Sequence, residues 1–554
     1  MLKRTTSWGL SLGVSSTLLM TTVFASVGGE SLTSVVYAAE KTLSEKEAIA
    51  LAQKQLKILG EYKLRDAEFV DGIEMLWGKS IWYTSWNKEN GGSLGVQQDA
   101  TSGEIWKYEY IGEERDLDAN QKKLTEDQAF QVATQFLKQV ATEEERSRLS
   151  KPNEYPDSDI FYTRAKRGID VNFTRIENGI PFLENGFRLI VGNDGEVIHF
   201  ERRWSEGKFP DASKVIEITE ADKKWDEGAF PSFFYKDMSS RVRIEPESYQ
   251  LVYDFQRIDP QVVDAITGKM LDSYGQFAKE RKIEPLGKTI PPATTERKLI
   301  TKDEAQKIAE QHIKKLPGIY SLNGKINESG SGSDKKSWLF EYVLQTGDGK
   351  KSDTVHIIID DSGCFVYFGL NAKIRFKEAS KKIEKGITWS EAQESARKFV
   401  QTFYSDQSGI IYAVDYVPSE ERIKEIWEID EPYAIEFGYL INGVPTGDDR
   451  FFQVDVDAET GEVVEVYNYE YSEGPSSDSS LPPTNEVGID LKMAKKVMKE
   501  NKKLMLTYFQ PKVEGSYGRE KMLEHPLLVY RYVGEKGLVK ADGKWHSFTK
   551  ERKQ

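Results

Sequence analysis

The chain has 554 residues, 38% hydrophobic and 30% charged, with a formal net charge of −14. That length exceeds what one hydrophobic core supports and divides into several units. The acidity opposes nucleic acid and anionic lipid or wall polymers as charge-attracted partners, and favours a basic protein surface or divalent cations.

In chain order, Lys3 and Arg4 precede an uncharged, largely apolar run from Trp8 to Val27, and Val36-Tyr37-Ala38-Ala39 follows. This is the layout of a secretory signal over residues 1–38, cleaved after Ala38. A retained membrane anchor is the rival reading of so long an apolar run, although no basic stop-transfer cluster follows it. The mature chain is then secreted or displayed on the cell surface, with no membrane association after cleavage. Gly9-Leu10-Ser11-Leu12-Gly13 fits the hydrolase pattern G-x-S-x-G, but it lies inside the signal and is a chance match.

Six copies of one unit follow. Unit 1 (39–115) opens Leu43-Ser44-Glu45-Lys46-Glu47-Ala48 and closes on Asp99-Ala100-Thr101-Ser102-Gly103. Unit 2 (120–210) opens Leu124-Thr125 and carries Asn178-Gly179-Ile180-Pro181 and Asn193-Asp194-Gly195. Unit 3 (214–284) runs from Ile218-Thr219 through Leu251-Val252-Tyr253 to Asp264-Ala265-Ile266-Thr267-Gly268. A linker (285–297) holding Pro285, Pro291 and Pro292 leads to unit 4 (298–378), which opens Ile300-Thr301 and closes Asp360-Asp361-Ser362-Gly363. Unit 5 (384–471) opens Ile387-Thr388-Trp389-Ser390-Glu391-Ala392, with Asn442-Gly443-Val444-Pro445 and Asp457-Ala458-Glu459-Thr460-Gly461 further on. A Pro/Ser-rich linker (472–485) precedes a degenerate unit 6 (486–554) with Ile489-Asp490, Leu528-Val529-Tyr530 and Asp542-Gly543.

Ser44, Thr125, Thr301 and Thr388 are the helix caps of this repeat. Glu391 can reach back to the Thr388 N–H, the reciprocal capping box. Ala392, Ala396, Phe399, Val400 and Phe403 then mark one helix face, matched by Ala129, Ala133, Phe136, Leu137 and Val140. Strand-like runs and turns complete each copy. The order tryptophan-rich, Asn-Gly-[Ile/Val]-Pro, Leu-Val-Tyr occurs twice, so the six units form a duplicated three-unit block. The expected fold class is α+β: tandem repeats of one helix packed on a small antiparallel sheet. Residues 39–284 and 298–554 should each fold alone.

The search for chemistry returns mainly negatives. No histidine lies in H-E-x-x-H. His312 takes the helix position of Phe136 and Phe399, which marks a core-edge residue. Ser205 to Lys208 and Ser333 to Lys336 match S-x-x-K without a companion motif. Asp455 to Gly461 starts like a calcium loop, but its glycine falls seventh rather than sixth. The segment reads instead as a hairpin turn, with Asp bonding backbone and Gly at positive φ. Cys364, the single cysteine, reads as a small buried hydrophobe. No catalytic residue, metal ligand or cofactor is therefore assigned. One cluster is less bland: Trp77, Trp82, Tyr83, Trp86, Trp106, Tyr108 and Tyr110 share unit 1. Trp82, Trp86, Trp106, Tyr108 and Tyr110 form either an aromatic platform for a peptide or glycan, or the contact between strand and helix or between stacked units.

The opening [Leu/Ile]-[Ser/Thr]-x-x-[Glu/Gln]-Ala and the closing Asp-Ala-x-Thr-Gly resemble PepSY domains. The six-unit, signal-bearing layout resembles the YcdB/YcdC-type proteins of Bacillus and relatives. The resemblance covers about Leu43 to Phe548 and brings no catalytic residues. It implies a helix on an antiparallel sheet and, by association, control of a peptidase or of wall turnover. The expected function is an exported, non-catalytic protein that binds and restrains or chaperones an extracellular peptidase or wall hydrolase. An exposed sheet edge could add a strand to an extended partner segment. The alternative is a structural wall-associated spacer or adhesion protein. An unrecognised hydrolase comes last, because every motif test fails.

Overall fold

A computed structural model describes residues 42–58, 60–73, 79–89, 91–111, 124–155, 168–205, 207–237, 249–255, 261–278, 283–289, 299–329, 336–345, 354–370, 383–405, 407–414, 416–418, 420–441, 443–446, 452–468, 488–514, 520–522 and 525–547. The expected signal segment (1–38), Trp77, the proline positions 291 and 292 and the 472–485 stretch lie outside the described residues.

The first segment holds α1 (Glu45–Leu56), β1 (Tyr62–Ile73), β2 (Lys79–Lys88), β3 (Ser93–Asp99) and β4 (Ile105–Ile111). The second holds α2 (Glu126–Val140), α3 (Glu143–Ser147), β5 (Gly168–Glu177), β6 (Ile180–Gly192) and β7 (Val197–Arg203). The third holds α4 (Ile218–Gly228), β8 (Ser232–Asp237), β9 (Tyr249–Asp254), β10 (Val262–Asp264) and β11 (Met270–Leu271). The fourth has α5 (Lys302–Ile313), β12 (Tyr320–Ser329), β13 (Ser337–Leu344), β14 (Thr354–Asp360) and β15 (Phe365–Leu370). In the fifth are α6 (Trp389–Phe403), β16 (Ile411–Ala413), α7 (Glu420–Ile429), β17 (Tyr433–Ile441), β18 (Val444–Pro445), β19 (Phe452–Val456) and β20 (Val463–Asn468). The sixth contributes α8 (Leu491–Asn501), β21 (Lys502–Phe509), β22 (Lys512–Glu514), β23 (Glu520–Met522), β24 (Leu527–Gly534), β25 (Gly537–Lys540) and β26 (Trp545–Ser547).

Local chemistry fixes how a segment starts and closes. Ser44, Thr125, Thr301 and Thr388 are N-caps of α1, α2, α5 and α6, each accepting from the backbone N–H three residues on. The Glu or Gln at that third position accepts the cap's own N–H, at 2.8 Å for Glu47, 3.0 Å for Gln128, 2.8 Å for Glu304 and 2.7 Å for Glu391. At the other end, Gly103, Gly195, Gly268, Gly363, Gly461 and Gly543 all have φ between 70° and 88°. The Asp457 carboxylate accepts from the N–H groups of Glu459 and Thr460 at 3.1 and 2.7 Å, as Asp99 and Asp264 do in their own turns. These carboxylates serve the turn backbone. The two ends then meet: Leu43, Ile216, Ile300 and Ile387 each donate an N–H to the closing turn of their own segment.

The sheets overturn the expected fold class. Among the described residues, strands join into an eleven-stranded sheet, β1-β2-β3-β4-β7-β6-β21-β24-β10-β11 with β5 on β6. A nine-stranded sheet follows the order β12-β13-β14-β15-β20-β19-β17-β16 with β18 on β17. The protein is therefore β-rich, built on large shared sheets rather than on one helix over one small sheet per unit. The joints explain why. β4 pairs with β7 through Tyr108 opposite Phe200, and β15 pairs with β20 through Phe368 opposite Val466. A four-stranded unit alone would leave two edges of unpaired N–H and C=O groups, and edge-to-edge pairing of neighbours satisfies one of each. The cores are shared too. Trp338 and Phe340 of the fourth segment belong to one buried cluster with Phe399, Phe437 and Phe452 of the fifth. Trp86 of the first packs in one cluster with Leu137 and Phe187 of the second.

The expectation of two self-contained halves is also corrected. β21 and β24 of the sixth segment lie between β6 and β10, and β25 pairs with β9. The C-terminal segment thus completes sheets begun before residue 285. The described part of the linker is bound as well: Leu286 and Gly287 donate to the carbonyls of Ile411 and Ser408, both at 2.8 Å.

Candidate binding surface

Of the aromatic cluster, Trp86 and Trp106 are 0% and 2% exposed. Trp86 packs in the core with Tyr108 and Tyr110 against it. Trp82 is half-buried, donates its indole N–H to the Leu43 carbonyl at 2.9 Å and meets Phe69 edge-on at 5.5 Å. The sequence-derived platform is therefore divided: Trp86 lies in the core shared by strands and helices, Trp106 is buried, and Trp82, Tyr108 and Tyr110 are half-buried.

β1 is itself the more telling element. It terminates the larger sheet and pairs only with β2. All its residues from Tyr62 to Val70 are exposed or half-exposed, with Leu64 and Phe69 more than two-fifths exposed. Other edges are covered by their own chain: β5 by the Arg148–Asn153 stretch, β16 by Leu286, and β8 by Thr446. Among the described residues, β1 and its counterpart β12 are the long edges that no further strand covers. Bulges at Leu64/Asp66 and Val70/Ile73 bound the regular run Asp66–Val70, which limits uncontrolled pairing while leaving a five-residue ladder open. Leu64, Ala67 and Phe69 lie opposite Trp86, Thr84 and Trp82, so an added strand would meet an apolar shoulder on that face.

Charge divides the sheet faces turned away from the helices. On the larger sheet Arg188 reaches Asp170 at 2.6 Å, and Arg203 reaches Glu201 at 3.0 Å. Burial would raise Glu201, but the nearby His199 and the bond from Arg203 outweigh it and hold its carboxyl below the usual range. On the smaller sheet Asp455 lies opposite Glu465, and both are buried. Burial, then Glu465 and Glu431, push the Asp455 carboxyl up to about 6 against the bond from Gln453. Sequence reading missed this pair. The signal was an acidic residue at a matching inward step on each of two adjacent strands.

The described residues contain no group of three or more His, Cys, Asp or Glu able to hold a metal. His312 stacks between Phe365 and Phe403 at 4.5 and 5.7 Å, and burial, with Lys315, lowers its pKa to about 4. His356 faces Glu341 at 3.2 Å, and His525 accepts from the Lys208 N–H. Ser205 is buried and bonded to Asn185. Cys364 is exposed, contrary to expectation, because its backbone N–H is held in the turn by Asp360.

Residues 45–204 match the YcdB, YcdC repeated domain. The matched stretch runs from the start of α1 to just beyond β7, so this repeated domain takes in two helix-and-strand segments and the core they share. The β4–β7 joint is internal to it. No curated protein and no solved structure matches the chain.

Proposed function

We propose that this chain is an exported, non-catalytic binding protein whose open edge β1 takes up an extended segment of a secreted peptidase or wall hydrolase. The observation that carries the reading is the Asp66–Val70 ladder beside exposed Leu64 and Phe69. Strand addition uses backbone groups for affinity and alternate side-chain positions for selectivity. A substrate-like segment lying along a protease cleft has the extended form this edge accepts. An apolar residue at every second position would pack on Phe69 and Leu64. The PepSY-like ends of each segment, with their association to peptidase control, agree with this role, as does the signal-like start.

The test compares mature protein with the Leu64→Lys/Phe69→Lys variant as bait in culture medium of the producing cell. The reading expects the unaltered protein to recover a peptidase or wall hydrolase, and the variant to recover at least about tenfold less. Equal recovery by both would sink the edge. Co-sedimentation with peptidoglycan and no recovered hydrolase would favour the spacer role instead. Purified protein should leave casein and peptidoglycan uncut.

A further inference from the structure

We infer that the third and sixth segments are a strand-exchanged pair, an interface shaped for a second three-unit block that this chain supplies to itself. Leu251-Val252-Tyr253 in β9 and Leu528-Val529-Tyr530 in β24 are the same element in the two blocks, and β10 corresponds to β25. Yet β9 does not pair with β10, nor β24 with β25. β10 lies on β24, with Val263 opposite Tyr530 and Asp264 opposite Val529. β25 lies on β9, with Val539 opposite Tyr253 and Lys540 opposite Val252. The two registers coincide residue for residue, and so do the flanking bonds, Ala265 N–H to Leu528 O at 2.8 Å and Ala541 N–H to Leu251 O at 2.9 Å.

Two further pairs of contacts obey the same exchange. The Tyr253 hydroxyl donates to the Ile489 carbonyl at 3.1 Å, and the Tyr530 hydroxyl to the Ile216 carbonyl at 2.7 Å. In the fifth segment the corresponding bond, Tyr433 to Ile387, stays within its own unit at 3.0 Å. The crossing of the tyrosine bonds thus belongs to the third and sixth segments. Outside the pair, Tyr508 bridges in parallel to Phe182 and Tyr235 to Thr446. Phe182 and Thr446 each follow an Asn-Gly-[Ile/Val]-Pro sequence, so the relation extends into the second and fifth segments.

Between β24 and β25 the chain runs on rather than turning back. Only Glu535 and Lys536 separate β24 from β25, and neither has the positive φ that a two-residue hairpin turn requires. Gly534 and Gly537 flank them where backbone passes close. A Cβ at 534 would lie 2.6 Å from the Asn501 carbonyl oxygen, and one at 537 would lie 2.2 Å from that of His546. The result is one core made by both blocks. Phe182, Trp225, Tyr253 and Val263 pack with Met498, Tyr508, Tyr530 and Tyr532. Lys499 spans the joint to Asp222 and Asp226, both at 2.7 Å. The contacts that hold the blocks together therefore owe nothing to the peptide connection at 290–298.

The test uses the full chain carrying Val252→Cys and Lys540→Cys, with Cys364→Ser and a protease recognition sequence inserted within 290–298. Antiparallel partners lie within disulfide reach. After oxidation and cleavage, non-reducing electrophoresis should give one band at the mass of the whole chain. The cut protein should elute at the volume of the uncut one. Two bands or two peaks would overturn the exchange, since a β25 folded back on β24 leaves position 540 away from position 252. If the insertion disturbs folding, the same cysteine pair in the uninterrupted chain decides: complete disulfide formation by mass supports the exchange, and free thiols refute it.

Discussion

Asp455→Asn should reveal a stability term that depends on pH in one direction only. Asp455 faces Glu465 across β19 and β20 and is 9% exposed, while Gln453 bonds it at 2.6 Å. Its carboxyl is pushed up to about 6, first by burial and then by Glu465 and Glu431, from an ordinary value of 3.8. Between those values the folded chain keeps a proton that the unfolded chain has released. Stability must then fall as pH rises through this interval. The interval is worth ~3 kcal/mol at 1.36 kcal/mol per pH unit. The full contribution is present below about pH 4, is lost by about pH 6 and changes little above. Asparagine keeps the shape and never ionises. Urea unfolding of both proteins, followed by circular dichroism from about pH 4 to about pH 8, should show near-equal midpoints at the acid end. At the neutral end the variant should lead by up to ~3 kcal/mol. A difference that stays constant across pH, or a wild-type lead at neutral pH, would refute the buried-pair argument.

Thr125→Ala and Thr388→Ala should each cost ~1 kcal/mol in the same assay, because each removes one cap bond from an equivalent helix start. A loss near zero at both would place the helix starts elsewhere. His312→Phe installs the residue that sister helices carry at 136 and 399. The folded His312 resists protonation down to about 4 while the unfolded one charges near 6.5. Wild-type stability is therefore lost as pH falls through that range, and the variant should gain on it only there. Urea midpoints that move in parallel for both proteins would count against a buried, neutral imidazole.

Features decided by a few neighbouring atoms were legible in the sequence. Thr388 and Glu391 are three apart, and the capping box needs nothing else. Asn178-Gly179 takes φ of 50° and 77°, the paired positive values of a tight hairpin. What the sequence left open were choices of partner between distant strands. Trp106-Lys107-Tyr108-Glu109-Tyr110 alternates in the same way whether Lys107 and Glu109 face water or, as they do, stand opposite Glu201 and His199 of β7. Leu-Val-Tyr occurs in both β9 and β24, so each offers β10 and β25 the same surface, and only the two-residue span at 535–536 argues against the local choice. The aromatic cluster was ambiguous for a similar reason: an indole such as Trp86 suits a core and a platform equally. Polar surroundings did not separate them, because Thr84 on the same strand and Gln98 opposite Trp82 are wholly buried as well.

The crossed strands also determine how the molecule would carry tension. A load applied between the first segment and residue 547 passes along β7 and β6 into β21, and from β24 into β10. It need not traverse the nine-stranded sheet, whose strands β12 to β20 are inserted in the chain between β11 and β21. The smaller sheet would stay slack and folded until the β6–β21, β24–β10 and β25–β9 contacts give way, and its length would then be released as a reserve. Under load, the chain would behave first as a short tether and only afterwards as a long one.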